Sequence, residues 1–153
     1  MPIPQLRQRA ILVIYFLCVS VSFCFAGNFS SPRETFEYYK ASLKRGDVAA
    51  ADSCFTAESL SKGRRHMKAY MQTLYLAIGN RQYRIEEYGN RAIVRWVPPD
   101  PTQQEFYLVK EKGAWKIDCQ FMFDNIVYDQ NHRCMWRKGD PGVEQRWMSG
   151  NYP

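Results

Sequence analysis

The feature that most constrains the fold of this 153-residue chain is a change in hydrophobic spacing near residue 80. Between residues 31 and 79, apolar side chains recur every three or four positions, a spacing typical of helices with one buried face. From Gln82 to Phe123, apolar and polar residues alternate, which is typical of strands with one buried face. This order predicts an α+β domain whose helices pack on one side of an antiparallel sheet.

Three helices are predicted in the first half of the chain. The first begins at the N-cap Ser31 and ends at Gly46, and a short alanine-rich helix follows it. The third helix is predicted to run without a break from Thr56 to Gly79, so its basic stretch KGRRHMK should lie on a solvated helical face. Its buried face is predicted to carry Leu60, Met67, Met71, Leu74 and Ile78.

Four strands are predicted in the second half, joined by short connections that favour an antiparallel meander. Their sequences are QYRIEEY, RAIVRWV, QEFYLVK and AWKIDCQFMF, at residues 82–88, 91–97, 104–110 and 114–123. On the last strand, alternation turns Trp115 toward the helices and Asp118 toward solvent. Tyr107 and Val109 then lie on the outer face of the sheet, and this apolar surface needs a cover.

The C-terminal residues 131–153 are rich in large aromatic side chains, among them Trp136 and Trp147. A segment with this composition is too apolar to be a free linker. We therefore predict that it packs on the domain formed by residues 27–130. The alternative is that the sheet meets a second copy of the chain and forms a homodimer.

The first 26 residues have the three-part pattern of a secretory signal peptide. Two arginines, Arg7 and Arg9, precede an apolar run at residues 10–26, and this run ends with the small residues Cys24 and Ala26. We therefore expect cleavage and export, to the periplasm or to the medium. The alternative is a membrane anchor at residues 10–26, because that length is at the short limit of what spans a bilayer.

Charge and cysteine content limit the partners and the chemistry. Loss of the two leader arginines lowers the net charge from +6 to +4, a mild excess that favours contact with an anionic membrane over nucleic acid. In an oxidising compartment, Cys119 and Cys134 are the natural disulfide pair and Cys54 is a buried thiol. His132 and Cys134 lack a second pair of ligands at zinc spacing, so neither a metal nor a cofactor is predicted.

Two segments carry a family resemblance: SPRETFEYYKASLKRGDVAAADSCFT at residues 31–56 and FYLVKEKGAWKID at residues 106–118. With the order of elements over residues 31–122, they resemble the nuclear transport factor 2-like superfamily, which has a cone-shaped, cystatin-like fold, and in particular its small secreted bacterial lumazine-binding-like members. The resemblance implies a curved sheet of four or more strands around the helices, with a pocket at the open end. The inward-facing residues expected to line this pocket are Tyr39, Met71, Trp96, Phe106, Trp115 and Ile117.

Catalytic relatives of this fold, such as ketosteroid isomerases, hold an acidic base in the pocket. No catalytic residue is assigned here, because Asp118 is predicted to face solvent and His66 to lie on the surface among basic residues. We therefore expect an exported, non-enzymatic domain that binds a small apolar ligand, a peptide or an envelope protein. The alternatives are a cofactor-free pocket enzyme of the isomerase, cyclase or hydrolase type, and a membrane-anchored component of a secretion machine.

Overall fold

The computed structural model describes residues 29–152, so the predicted signal peptide and the alternative anchor at residues 10–26 lie outside the described residues. Within that range the chain is an α+β domain with six helices, a four-stranded antiparallel sheet and a separate two-stranded sheet. None of the described helices combines the length and the apolar character needed to cross a membrane.

Four helices precede the sheet, where three were predicted. They are α1 (Pro32–Arg45), α2 (Val48–Asp52), α3 (Ala57–Ser61) and α4 (Lys68–Ile78). The ends of α1 confirm the prediction, since Ser31 Oγ accepts from the Glu34 N–H at 3.2 Å and Gly46 takes the left-handed conformation. The uninterrupted third helix is wrong: Gly63 adopts a φ of 75°, and residues 62–67 form a loop.

The four-stranded sheet is a meander of β1 (Tyr83–Tyr88), β2 (Arg91–Trp96), β3 (Phe106–Glu111) and β4 (Ala114–Ile117), paired in chain order. Side chains that lie opposite each other across antiparallel strands share a face. The register therefore defines a helix face made of Val94, Trp96, Phe106, Leu108, Trp115 and Ile117. The opposite surface, which we call the tail face, carries Ile93, Arg95, Tyr107 and Val109.

Helix α1 packs on the helix face and forms the main core. The Phe36 ring lies 5.0 Å from the ring of Tyr83 and 5.1 Å from that of Phe106, measured between centroids. Thr35 Oγ1 donates to the Trp115 carbonyl at 3.1 Å, which ties α1 to β4. Trp115 is only 4% exposed, so the predicted inward orientation of this indole is confirmed.

The predicted last strand is wrong beyond Ile117, where the chain turns into α5 (Cys119–Asn125). Asp118 Oδ1 accepts from the Phe121 N–H at 3.0 Å, and this N-cap starts the helix. The helical turn carries Phe121 to the tail face, 5.0 Å from the ring of Tyr107. Asp118 is therefore only partly exposed: Trp147 Nε1 donates to its Oδ2 at 3.3 Å, and burial raises the pKa of its carboxyl group.

The C-terminal residues cover the tail face. β5 (Ile126–Tyr128) pairs with β6 (Cys134–Trp136), and α6 (Gly142–Met148) follows. Trp147 of α6 is fully buried, with its ring 5.1 Å from that of Tyr107 and 5.2 Å from that of Phe121. Because the chain shields this surface itself, a second copy is not needed to cover it.

The predicted disulfide is absent from the described part of the chain, where Cys54, Cys119 and Cys134 are all free thiols. The chain turns into α5 at Cys119 instead of continuing as a strand, whereas Cys134 lies on β6 and donates its N–H to the Pro101 carbonyl. The two thiols consequently line different cavities. Cys54 is fully buried, as predicted.

Candidate functional site

A cavity of about 390 Å³ lies beside the helix face, bordered by α1, the 62–67 loop, α4 and α5. We call it the Tyr39 cavity. Its volume is within the range of small-molecule sites in proteins. Apolar side chains form much of its wall, contributed by Phe55, Leu74, Phe106 and Met122.

One wall of the Tyr39 cavity contains two hydrogen-bonded polar side chains, Tyr39 and His66, and Asp52 lies behind His66. Asp52, at the end of α2, holds the loop by accepting the backbone N–H of His66 at 3.0 Å. The same oxygen, Asp52 Oδ1, lies 2.9 Å from His66 Nδ1. His66 Nε2 in turn lies 2.9 Å from the Tyr39 hydroxyl on α1. The result is a linear Asp52–His66–Tyr39 array that joins α1, α2 and the loop.

The hydrogen-bonding capacities of these groups assign the protons in the array. An ionised carboxylate only accepts, so in the neutral form of His66 the imidazole carries its proton on Nδ1 and accepts from the Tyr39 hydroxyl at Nε2. Burial, with smaller effects of Cys119, Cys54 and Asp52, raises the pKa of the Tyr39 hydroxyl well above its ordinary value. Tyr39 is therefore a neutral donor near pH 7, and its oxygen retains acceptor capacity for a ligand.

Positive charge borders the Tyr39 cavity, and no aspartate or glutamate is among the side chains that line it in the described range. Arg64 and Arg65 both belong to its rim. Arg65 is mostly exposed and lies 3.7 Å from Asp52 Oδ2, at the back of the array. Cys119 adds no negative charge at neutral pH, because burial raises the pKa of its thiol to about 11.

The structure brings two of the six predicted pocket residues together in this wall, Tyr39 and Phe106. The other four do not line the cavity and belong to the buried core: Met71, Trp96, Trp115 and Ile117. Trp96, for example, donates its Nε1–H to the Gln104 carbonyl at 3.0 Å, so its polar atom is already satisfied within the fold.

Sequence reasoning missed the role of Asp52 and was wrong about His66, whose side chain is only 9% exposed. The error follows from the helix predicted through residues 62–67, which would have turned His66 to solvent. Gly63 is the signal that could have revealed it, since glycine disfavours a helix interior and favours a turn. The break in the helix at Gly63 lets residues 64–66 fold back against α2.

A second cavity, of about 330 Å³, lies on the tail face and has a different electrostatic character. Arg95 lines this cavity and bonds to three carboxylates. Its Nε lies 2.9 Å from Glu86, and its Nη1 lies 3.0 Å from Glu144 and also contacts Glu105. The Tyr107 hydroxyl donates to Glu144 at 2.5 Å. We call these five residues the Arg95 network. Its carboxylates come from three parts of the fold: Glu86 from β1, Glu144 from α6 and Glu105 from the position before β3.

The fold and the site define a small α+β domain with a mainly apolar pocket beside its sheet. No group of three or more histidine, cysteine or acidic side chains in residues 29–152 is arranged to hold a metal ion. Comparison of the chain with protein-family models, with curated proteins and with solved structures gives no match. The functional assignment therefore depends on the geometry of the site.

Proposed function

We propose that this chain is a non-enzymatic binding domain whose Tyr39 cavity takes a small molecule with an apolar body. The observation that carries the proposal is the wall itself: a concave surface of Phe55, Leu74, Phe106 and Met122 with a few polar groups at one side. The proposal agrees with the nuclear transport factor 2-like resemblance, and we take the sheet to curve around the helices as in that cone.

The hydrogen bonding of the array favours binding over chemistry. His66 Nδ1 is occupied by Asp52 and Nε2 by the Tyr39 hydroxyl, so neither nitrogen is free to take a proton from a ligand. A general base has to reach the proton that it removes. The array instead holds the loop against α1 and α2, and offers one tyrosine oxygen as an anchor for a polar group.

A methyl-detected NMR titration tests the proposal with neutral apolar probes such as 4-phenylbutan-1-ol and indole. We expect saturable shifts in the methyl signals of Leu74 and Met122, which line the cavity. The variant Leu74→Trp fills the cavity and should weaken binding by about tenfold or more. Its matched control is Leu76→Trp, on the same helix but with a side chain 75% exposed. Equal binding by both variants would place the probe elsewhere and refute the proposed site.

A second candidate function is acid–base catalysis without a cofactor, favoured by the Asp52–His66–Tyr39 array alone. A ligand that displaces the Tyr39 hydroxyl would expose His66 Nε2, with Asp52 positioned to stabilise the protonated ring. Incubation with β,γ-unsaturated ketones and aryl esters tests it. Conversion by the wild type that is lost in His66→Gln supports an enzyme, whereas probes recovered unchanged support a binding domain.

We also propose that the domain acts after export, on the evidence of the leader pattern in residues 1–26. Mass spectrometry of the protein recovered from outside the cytoplasm tests this. A chain that begins at Gly27 is the expected result. An intact N-terminus would favour the anchored alternative at residues 10–26.

A further inference from the structure

Arg64, at the rim of the Tyr39 cavity, has a neutral hydrogen-bond partner in place of a carboxylate. Its side chain is half-buried, its Nε–H donates to Gln120 Oε1 at 3.2 Å, and its guanidinium carbon lies 3.3 Å from the centroid of the Phe123 ring. Within residues 29–152, its two terminal nitrogens have no hydrogen-bond acceptor and no carboxylate partner. A half-exposed guanidinium with no anion beside it keeps N–H donors that can pair with one.

The acidic residues of the neighbouring helices are engaged with other groups. Glu58 of α3 pairs with Lys62 at 2.8 Å. Asp124 of α5 accepts both of its hydrogen bonds from the Gln120 amide, at 2.8 Å each. Gln120 thus lies between Arg64 and Asp124 and presents its carbonyl oxygen, not a charge, to the arginine. Among residues 29–152, no carboxylate pairs with the positive charge of Arg64.

The guanidinium is also held in place in a way that suits recognition of an anion. The bond to Gln120 and the stacking on Phe123 restrict the planar group while its terminal N–H donors stay free. Two parallel N–H donors of arginine match the two oxygens of a carboxylate. The apolar wall formed by Leu74 and Phe106 belongs to the same cavity.

We propose that the ligand of the Tyr39 cavity is a small amphipathic carboxylate, whose anionic group pairs with Arg64 and whose apolar body lies against Leu74 and Phe106. This inference rests on the proposed binding function and adds the chemical class of the ligand. It makes Arg64 the residue that determines specificity for the acid over its neutral analogue.

The test compares two probes with the same carbon skeleton, 4-phenylbutyrate and 4-phenylbutan-1-ol, by calorimetric or NMR titration of the protein at low salt. We expect the carboxylate to bind about tenfold more tightly than the alcohol, the usual effect of a charge-assisted hydrogen bond. The variant Arg64→Gln should lower carboxylate affinity to about that of the alcohol, so that the preference for the acid disappears. A methyl spectrum with the dispersion of the wild type shows that the variant is folded.

Arg65→Gln is the matched control, because Arg65 borders the same cavity but is exposed and already faces Asp52. It should keep the preference for the carboxylate within about twofold. Equal binding of the two probes to the wild type overturns the inference and leaves the binding function intact. An equal loss in the two arginine variants also overturns it, since the preference would then come from general positive charge. Failure of both probes to bind argues against the proposed function itself.

Discussion

Arg95, on the tail face of the sheet, and Arg64, in the 62–67 loop on the other side, differ in how their charges are paired. On the tail face, Arg95 bonds to three carboxylates and lies under residues of the C-terminal segment. Beside the helix face, the Arg64 side chain donates to a neutral amide and lies over an aromatic ring, with no carboxylate partner among residues 29–152. A charge whose partners are supplied by the fold contributes to stability, whereas a charge left without a counter-ion is available to a ligand. Under the proposed function, the contrast distinguishes a structural surface on one side of the sheet from a proposed binding surface on the other.

The largest effect should come from removing the aromatic cover of the tail face. Trp147→Ala deletes a fully buried indole that packs on Tyr107 and Phe121 and donates to Asp118. We expect a loss of about 3–5 kcal/mol in the free energy of unfolding, measured by urea denaturation. Trp136→Ala, at a partly exposed position, should cost less. A loss at position 147 no greater than that at 136 would show that α6 is not part of the core.

The next largest effect on the free energy of unfolding is expected when Arg95→Gln is compared with Arg64→Gln. Arg95→Gln leaves Glu86, Glu105 and Glu144 close together without the cation that they share. We therefore expect the variant to lower the free energy of unfolding by about 1–3 kcal/mol, a range reduced because the group is partly exposed. Arg64→Gln should change it by less than about 0.5 kcal/mol. The measurement is urea denaturation of both variants. Similar losses in the two would remove the distinction between a structural and a ligand-binding arginine.

The Asp52–His66–Tyr39 array should contribute a smaller amount. Tyr39→Phe removes the hydroxyl that His66 Nε2 accepts from and leaves a buried acceptor unpaired. We expect a loss of about 1 kcal/mol in the free energy of unfolding. Tyr70→Phe is the control, since Tyr70 is 65% exposed on α4 and should show no change. Equal stability of wild type and Tyr39→Phe would mean that the array does not hold the loop.

The smallest effect is a pH dependence on the tail face. The hydrogen bond from Arg95 lowers the pKa of Glu86 from 4.5 to about 2. A lowered pKa in the folded state stabilises the fold above pH 4.5, and this contribution is lost as the pH falls toward 2. Glu86→Gln should therefore melt below the wild type at pH 7, and the gap should close near pH 2.

The exposed neighbour Glu87 supplies the control, since Glu87→Gln removes a carboxylate from the opposite face of β1 and should lower the melting temperature at pH 7 less than Glu86→Gln does. Glu105 has the opposite pH dependence, because burial raises the pKa of its carboxyl group. Its ionised form lowers the stability of the fold at neutral pH, and this cost is relieved as the pH falls and the group is protonated. A gap between Glu86→Gln and the wild type that stays constant from pH 7 to pH 2 would contradict the assignment to Glu86.

Local signals in the sequence were sufficient for much of the fold. The Ser31 cap, the Gly46 stop and the β1–β2 hairpin depend on neighbouring residues, and each was predicted and confirmed. Alternation was enough to orient Trp115. The long third helix failed because Gly63 breaks it, and the last strand failed because Asp118 caps a helix there. In both cases the hydrophobic periodicity continues past the residue, but the conformational preference of that residue ends the helix or strand there.

The site was less accessible to this kind of reasoning. Of the wall residues, Tyr39 and Phe106 were anticipated from their place on apolar stripes. His66 was expected on the surface and Asp118 in solvent, yet His66 bonds to Asp52 and Tyr39, and Asp118 to Trp147. Each of these pairs is separated by 14 to 29 positions along the chain. Hydrophobic spacing carries no information about which polar groups meet across such distances.

By itself, the sequence determined the elements of this protein: a capped first helix, an antiparallel meander and an inward-facing Trp115. These follow from steric and hydrogen-bonding preferences that act within a few residues. Only the tertiary structure decided which charges are paired: within the described part of the chain, Arg95 bonds to three glutamates and Arg64 to none. That outcome depends on how α5, α6 and the 62–67 loop pack, because electrostatic pairing is set by distance in space and not by order along the chain.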